Sequence, residues 1–103
     1  MHGYITPVIC SNIYYILRKY GSHNKVINKI SDLLTILDVL QMDKKVIKSA
    51  LISKFKDFED ALQNFAAVNS QNINSIITRN TKDYKFSELS VYTPEEYIRT
   101  IQT

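Results

Sequence analysis

Apolar residues along the chain follow two rhythms. Gly3-Tyr4-Ile5-Thr6-Pro7-Val8-Ile9 is short and β-rich, and its proline marks a strand end or an edge. Ser11 then predicts the cap of a helix carrying Ile13, Tyr14, Leu17 and Tyr20, closed by Gly21. Ser22 opens a second helix with Val26, Ile27, Ile30, Leu33, Leu34 and Leu37 on one face, and Leu37–Met42 reads as a short strand after it. Asp43 predicts the cap of a third helix with Val46, Ile47, Ala50 and Leu51. The clearest helix follows, with Phe58, Ala61, Leu62, Phe65 and Ala66 at i, i+3, i+4, i+7 and i+8. Asn74–Thr78 and Leu89–Tyr92 read as strands. The last helix has a full start signal: Thr93 as N-cap, Pro94 at the first position and Glu96 three residues after the cap. Strands alternating with helices predict an α/β fold with a small, mostly parallel sheet.

Composition narrows the function classes. A chain of 103 residues, 45% hydrophobic and 22% charged, is one domain with enough material for a core. Two glycines and two prolines exclude disorder and leave little for a glycine-rich phosphate loop. A net charge of +3 permits a polyanionic partner without demanding one. The single cysteine, Cys10, excludes an internal disulfide and suits a reducing cytoplasm; it reads as a small apolar group. No apolar run reaches the roughly 20 residues of a membrane-spanning helix, so no membrane partner is expected. His2 and His23 lack partners at metal-ligand spacing and read as surface histidines, while Tyr14, Tyr15 and Phe65 read as core. Lys44, Lys45, Lys48, Lys54 and Lys56 form one basic cluster, and Arg79, Lys82 and Lys85 a second. Either can bind phosphates, and the first is equally a solvated helix face.

Three blocks then carry a resemblance. Asp57-Phe58-Glu59-Asp60-Ala61-Leu62-Gln63, Ile76-Ile77-Thr78-Arg79-Asn80-Thr81-Lys82-Asp83-Tyr84 and Val91-Tyr92-Thr93-Pro94-Glu95-Glu96-Tyr97 resemble, in order and spacing, the C-terminal half of PIN domains. Ile9–Lys19 is similar to that family's second strand-to-helix region. The resemblance implies a three-layer α/β/α PIN-like fold over residues 1–103. It also implies a metal-dependent ribonuclease, of the kind that serves as toxin in bacterial toxin–antitoxin pairs.

What the resemblance implies for the site is a weakened acid set. Asp60 falls on the family's third acid. Asn80 takes the fourth position, with Asp83 three residues later, and Asn12 stands where a glutamate is usual. Catalytic positions are therefore Asp60, Asp83, Asn12 and Asn80, and the metal ligands are Asp60 and Asp83. These supply one negative charge, or two with Asp83, for Mg²⁺ or Mn²⁺, so weak binding is expected. The bland alternatives are specific too: Asp60 is favoured by the helix dipole in any first turn, and Asp83 beside Lys82 and Lys85 suits a solvated turn.

The family's first strand, which ends in an aspartate and lies centrally in the order 3-2-1-4-5, has no counterpart here. Its absence leaves two strand pairs with unpaired edges, each buried open backbone group costing roughly 1–3 kcal/mol. The expected outcomes are three: the remaining strands close together, another chain supplies the strand, or the sequence is part of a longer one. RNA as substrate, an antitoxin protein and a second copy of the chain are the partners implied, and activity of the chain alone is expected to be impaired. A non-enzymatic remnant that binds a partner through strand edges and the Tyr14/Leu17 helix is the alternative. An unrelated small α/β binding domain is the third reading.

Overall fold

The computed structural model describes residues 3–102, which divide between residues 42 and 43 into two compact units. His2 lies outside the described residues.

The first unit contains β1 (Gly3–Ile5), α1 (Pro7–Leu17), α2 (His23–Leu33) and β2 (Leu37–Val39). β1 and β2 pair in parallel, Gly3 opposite Leu37 and Ile5 opposite Val39, and the Leu40 N–H extends the ladder to the Ile5 carbonyl at 2.8 Å. A Cβ at Gly3 would come within 2.6 Å of Leu37 Cδ2, so a larger residue there would displace the tip of that leucine. α1 begins earlier than the sequence predicts. Thr6, not Ser11, is its N-cap, the hydroxyl accepting from the Ile9 N–H at 3.1 Å, and Pro7 takes the first turn. The fixed φ of proline suits that position, so Pro7 both ends the strand and starts the helix.

Gly21 does not cap α1 in a left-handed conformation, since no described residue has a positive φ. The helix ends at Leu17, and the Arg18 guanidinium donates to the Gly21 carbonyl at 2.9 Å. Ser22 caps α2 as predicted. The unit's buried residues are Thr6, Val26 and Leu40. Tyr15, predicted to be core, is 69% exposed, and Cys10 is half-buried. Tyr14 is half-buried and hydrogen-bonded through its hydroxyl to Nδ1 of the exposed His23 at 2.8 Å.

The second unit runs α3 (Lys44–Leu51), α4 (Phe58–Val68), β3 (Ser75–Ile77), a 3-10 helix (Thr81–Tyr84), β4 (Ser90–Tyr92) and α5 (Pro94–Ile101). Each α-helix starts on a side-chain cap, Asp43 and Thr93 as predicted: Asp43 accepts from the Val46 N–H at 3.1 Å and Asp57 from the Asp60 N–H at 2.9 Å. Thr93 and Glu96 form a reciprocal capping box. α3 packs on α4, contributing buried Val46 and Ala50 against a helix whose buried positions are Ala61, Asn64, Ala66 and Ala67. Small side chains let the two backbones approach closely. Phe58, predicted on the buried stripe, is the first residue of the helix and is 48% exposed. β3 and β4 also pair in parallel, with Ser75 opposite Ser90 and Ile77 opposite Tyr92.

The molecule is thus mixed α/β, and its strands pair in parallel, β1 with β2 in the first unit and β3 with β4 in the second. Three-residue pairs are marginal alone, so helix packing carries the stability of each unit. No described helix is long and apolar enough to cross a membrane.

Asn64 is anomalous: it is 1% exposed, and its amide oxygen accepts no hydrogen bond. A buried orphan acceptor of this kind costs about 1–3 kcal/mol. Asn64→Leu is therefore predicted to be neutral or stabilising in urea unfolding. Val46→Ala, at a site only 2% exposed, is predicted to lower stability by about 2 kcal/mol.

Candidate active site

The second unit gathers its acids around the first turn of α4. Asp57 spends its carboxylate on the Asp60 N–H, which leaves the Asp60 side chain free of capping duty. Asp60 instead accepts a hydrogen bond at Oδ1 from the Tyr84 hydroxyl at 3.2 Å. Tyr84 is buried, 6% exposed, at the end of the 3-10 helix. Its ring is held edge-on by Phe55, with centroids 5.7 Å apart at 77°, and Phe55 in turn packs edge-on against Phe65 of α4 at 6.1 Å. The aromatic cluster thereby fixes one hydroxyl against one carboxylate.

Chain geometry after β3 brings Asp83 into the same neighbourhood. The Thr78 N–H continues the β3–β4 ladder to the Tyr92 carbonyl at 2.9 Å, and the Thr78 hydroxyl accepts from the Asn80 N–H at 3.1 Å. The Asp83 N–H donates to the Asn80 carbonyl at 3.0 Å, closing the 3-10 turn. Asn80 makes no side-chain cap bond there.

The electrostatics follow from this placement. Burial, then the charge of Asp57, pushes the Asp60 carboxyl above its ordinary value; Asp83 and Glu59 add to the rise, and only the Tyr84 hydrogen bond opposes it. Burial, then the Asp60 charge and hydrogen bond, drives the Tyr84 phenol far above its usual range, so it stays a neutral donor. Asp60 thus sits in surplus negative potential.

Of the positions named from sequence, Asp83 lies near enough to Asp60 for its charge to act on that carboxyl, and Asn80 meets Asp83 only through its backbone carbonyl. Asn12 stands exposed on α1 in the first unit. Tyr84 was missed, although an aromatic inside the charged run Lys82-Asp83-Tyr84-Lys85 is a signal for a buried ring in an otherwise solvated turn. Arg79, counted with the second basic cluster, is committed elsewhere: its guanidinium donates to Glu95 Oε1 at 2.7 Å and holds that carboxyl below its ordinary value. Lys85 lies 5.2 Å from the Phe86 ring centre. The second cluster is therefore partly used up within the fold.

A model of the PIN domain family matches residues 1–82. The chain belongs to the PIN domain family. Its match runs through both units and ends just before Asp83, so the family places the chain among nuclease-like proteins without reaching the Val91–Tyr97 block. No curated protein and no solved structure matched the chain.

PIN domains use divalent metal, and the acids here fall short of a complete centre for it. Among the described residues no three of His, Cys, Asp and Glu are placed to hold a metal ion. Two carboxylates and a neutral amide offer little to an ion that gives up water reluctantly.

Asp60 yields a pH prediction. Its folded pKa lies above the unfolded value of about 3.9, so its ionisation disfavours the fold. That component of stability is lost as pH rises from the unfolded value through the folded one. Carboxyl NMR titration should place Asp60 above the ordinary aspartate range. Tyr84→Phe should move it higher still, because the phenol donor is the one interaction favouring the carboxylate. An unchanged or lower value in that variant would contradict the geometry.

Proposed function

We propose that the chain is a single PIN-like domain whose activity is metal-dependent hydrolysis of RNA phosphodiesters, of the toxin type, and that the activity is impaired in the chain as it stands. The observation that carries this is the Asp60–Tyr84–Asp83 constellation on a PIN family chain. A carboxylate held by a buried phenol in surplus negative potential favours a cation, and of the acids there only Asp60 and Asp83 are assigned to it in this reading. Asp60 and Asp83 are the metal ligands of this reading, Mg²⁺ or Mn²⁺ the ion, and Asn80 a neutral position beside them. An antitoxin protein would be the natural restraint on such an activity, in a cytoplasmic setting.

The purified chain, incubated with a single-stranded RNA and millimolar Mg²⁺ or Mn²⁺, is expected to cleave slowly. Asp60→Asn should remove what cleavage there is, a drop of about tenfold or more. Cleavage at full rate by that variant would overturn the reading.

One observation favours a second reading, a non-enzymatic interaction module. α1 leaves Tyr15 69% and Ile16 56% exposed, and Tyr20 just beyond it 84% exposed. This apolar surface differs from the one expected at Tyr14 and Leu17, which are both half-buried. A stable oligomer in light scattering, dissolved by Tyr15→Ser/Ile16→Ser and lacking any cleavage, would support this reading over the first.

A further inference from the structure

α3 presents a face that the acid site does not use. An open cleft of about 630 Å³ runs along it, lined by Lys44, Lys45, Lys48, Ser49, Leu51 and Ile52. Lys44 and Lys48 stand one turn apart, with Lys45 three residues from Lys48, so the three ammonium groups project from adjoining positions. None of the three makes an ion pair or side-chain hydrogen bond with a described residue, whereas Arg79 is spent on Glu95. Asp43, next to Lys44 in sequence, is the helix N-cap, its carboxylate accepting from the Val46 N–H, so three cations stand beside one acid. At the far end of the same cleft Leu51 is 67% and Ile52 88% exposed. Positive charge in excess, next to aliphatic surface without cover, suits a ligand both acidic and apolar.

We propose that this cleft docks an acidic amphipathic peptide segment of a partner protein, its carboxylates on Lys44, Lys45 and Lys48 and its aliphatic side chains on Leu51 and Ile52. Two other polyanions fit less well. A single-stranded nucleic acid groove pairs cations with aromatic rings or arginines on which bases stack, and this cleft has neither. A bilayer takes up the apolar face of a basic helix, yet the apolar face of α3, Val46 and Ala50, is already buried in the unit. What remains exposed is concave and suits a ridge, such as one side of a short helix. α3 is eight residues long, which spans about 12 Å and matches two turns of a partner helix. The inference is independent of RNA cleavage, since none of its residues belongs to the acid site.

The test uses the intact chain and a fluorescent, end-blocked peptide of about 14 residues with Glu and Leu along one helical face. Beside it run a peptide with Ser for every Leu, a single-stranded RNA of similar length, and vesicles containing about 30% phosphatidylserine. The Glu/Leu peptide is expected to bind with a Kd of about 10–100 μM at physiological salt, and the Glu/Ser peptide about tenfold more weakly. Lys44→Glu/Lys48→Glu should weaken the Glu/Leu peptide by about tenfold or more, and Leu51→Ser/Ile52→Ser by about fivefold. Lys82→Glu, outside the cleft, should change nothing. All five positions are exposed, so circular dichroism should show every variant folded. Absence of peptide binding at about 500 μM would overturn the proposal. So would RNA or vesicle binding that needs the lysines but ignores Leu51 and Ile52.

Discussion

The hydrogen bond from Tyr84 to Asp60 is the constraint on which the second unit's chemistry depends. It ties the 3-10 helix after β3 to the first turn of α4, and it does so from within a packed aromatic cluster of Phe55, Phe65 and Tyr84. The cluster belongs to the core, the hydroxyl to the site. One residue therefore couples packing to electrostatics: loosening the ring would free the carboxylate, and losing the carboxylate would leave a buried phenol without its acceptor. Because burial and three neighbouring acids all disfavour charge on Asp60, its position is not one that stability alone would select. That is the physical argument for treating it as more than a dipole-favoured residue in a helix's first turn.

Helix starts were the most legible part of the sequence. Ser22, Asp43, Asp57 and Thr93 each cap the helix that the apolar spacing predicted, because a cap is a local interaction written within four residues. Thr6 and Pro7 show where local reading fails. Proline satisfies both the end of a strand and the start of a helix, and Ser11 looks like a cap until Thr6 has already supplied one. Burial was less legible. Tyr15 and Phe58 carry large apolar side chains at helical spacing, but which stripe is covered depends on the element packed against it. Asn64 is the converse, a polar residue placed inside with its oxygen unpaired. In the site, Asp60 and Asp83 were named from the family's pattern, whereas Tyr84 required the fold, because the contact spans 24 residues.

Charge is unevenly spent over the second unit. Arg79 is neutralised by Glu95, and Lys85 rests by the Phe86 ring, so the basic residues near the acids are partly consumed by the fold itself. On α3 the lysines remain uncommitted and lie next to aliphatic surface. The unit thus has an acidic corner around Asp60 and a basic cleft along α3, built on adjacent helices of one packed pair. The helix pair supplies rigidity to both, since Val46, Ala50, Ala61, Ala66 and Ala67 are buried together within the unit.

The central claim is that Asp60 and Asp83 form one cation-attracting site with too few charges to hold the ion tightly. Titrating the ¹⁵N-labelled chain with Mn²⁺ and recording paramagnetic broadening tests it directly. The account predicts broadening centred on Asp60, Asp83 and Tyr84, half-complete only at about millimolar Mn²⁺, and abolished in Asp60→Asn. Broadening centred elsewhere, or unchanged in that variant, would contradict it.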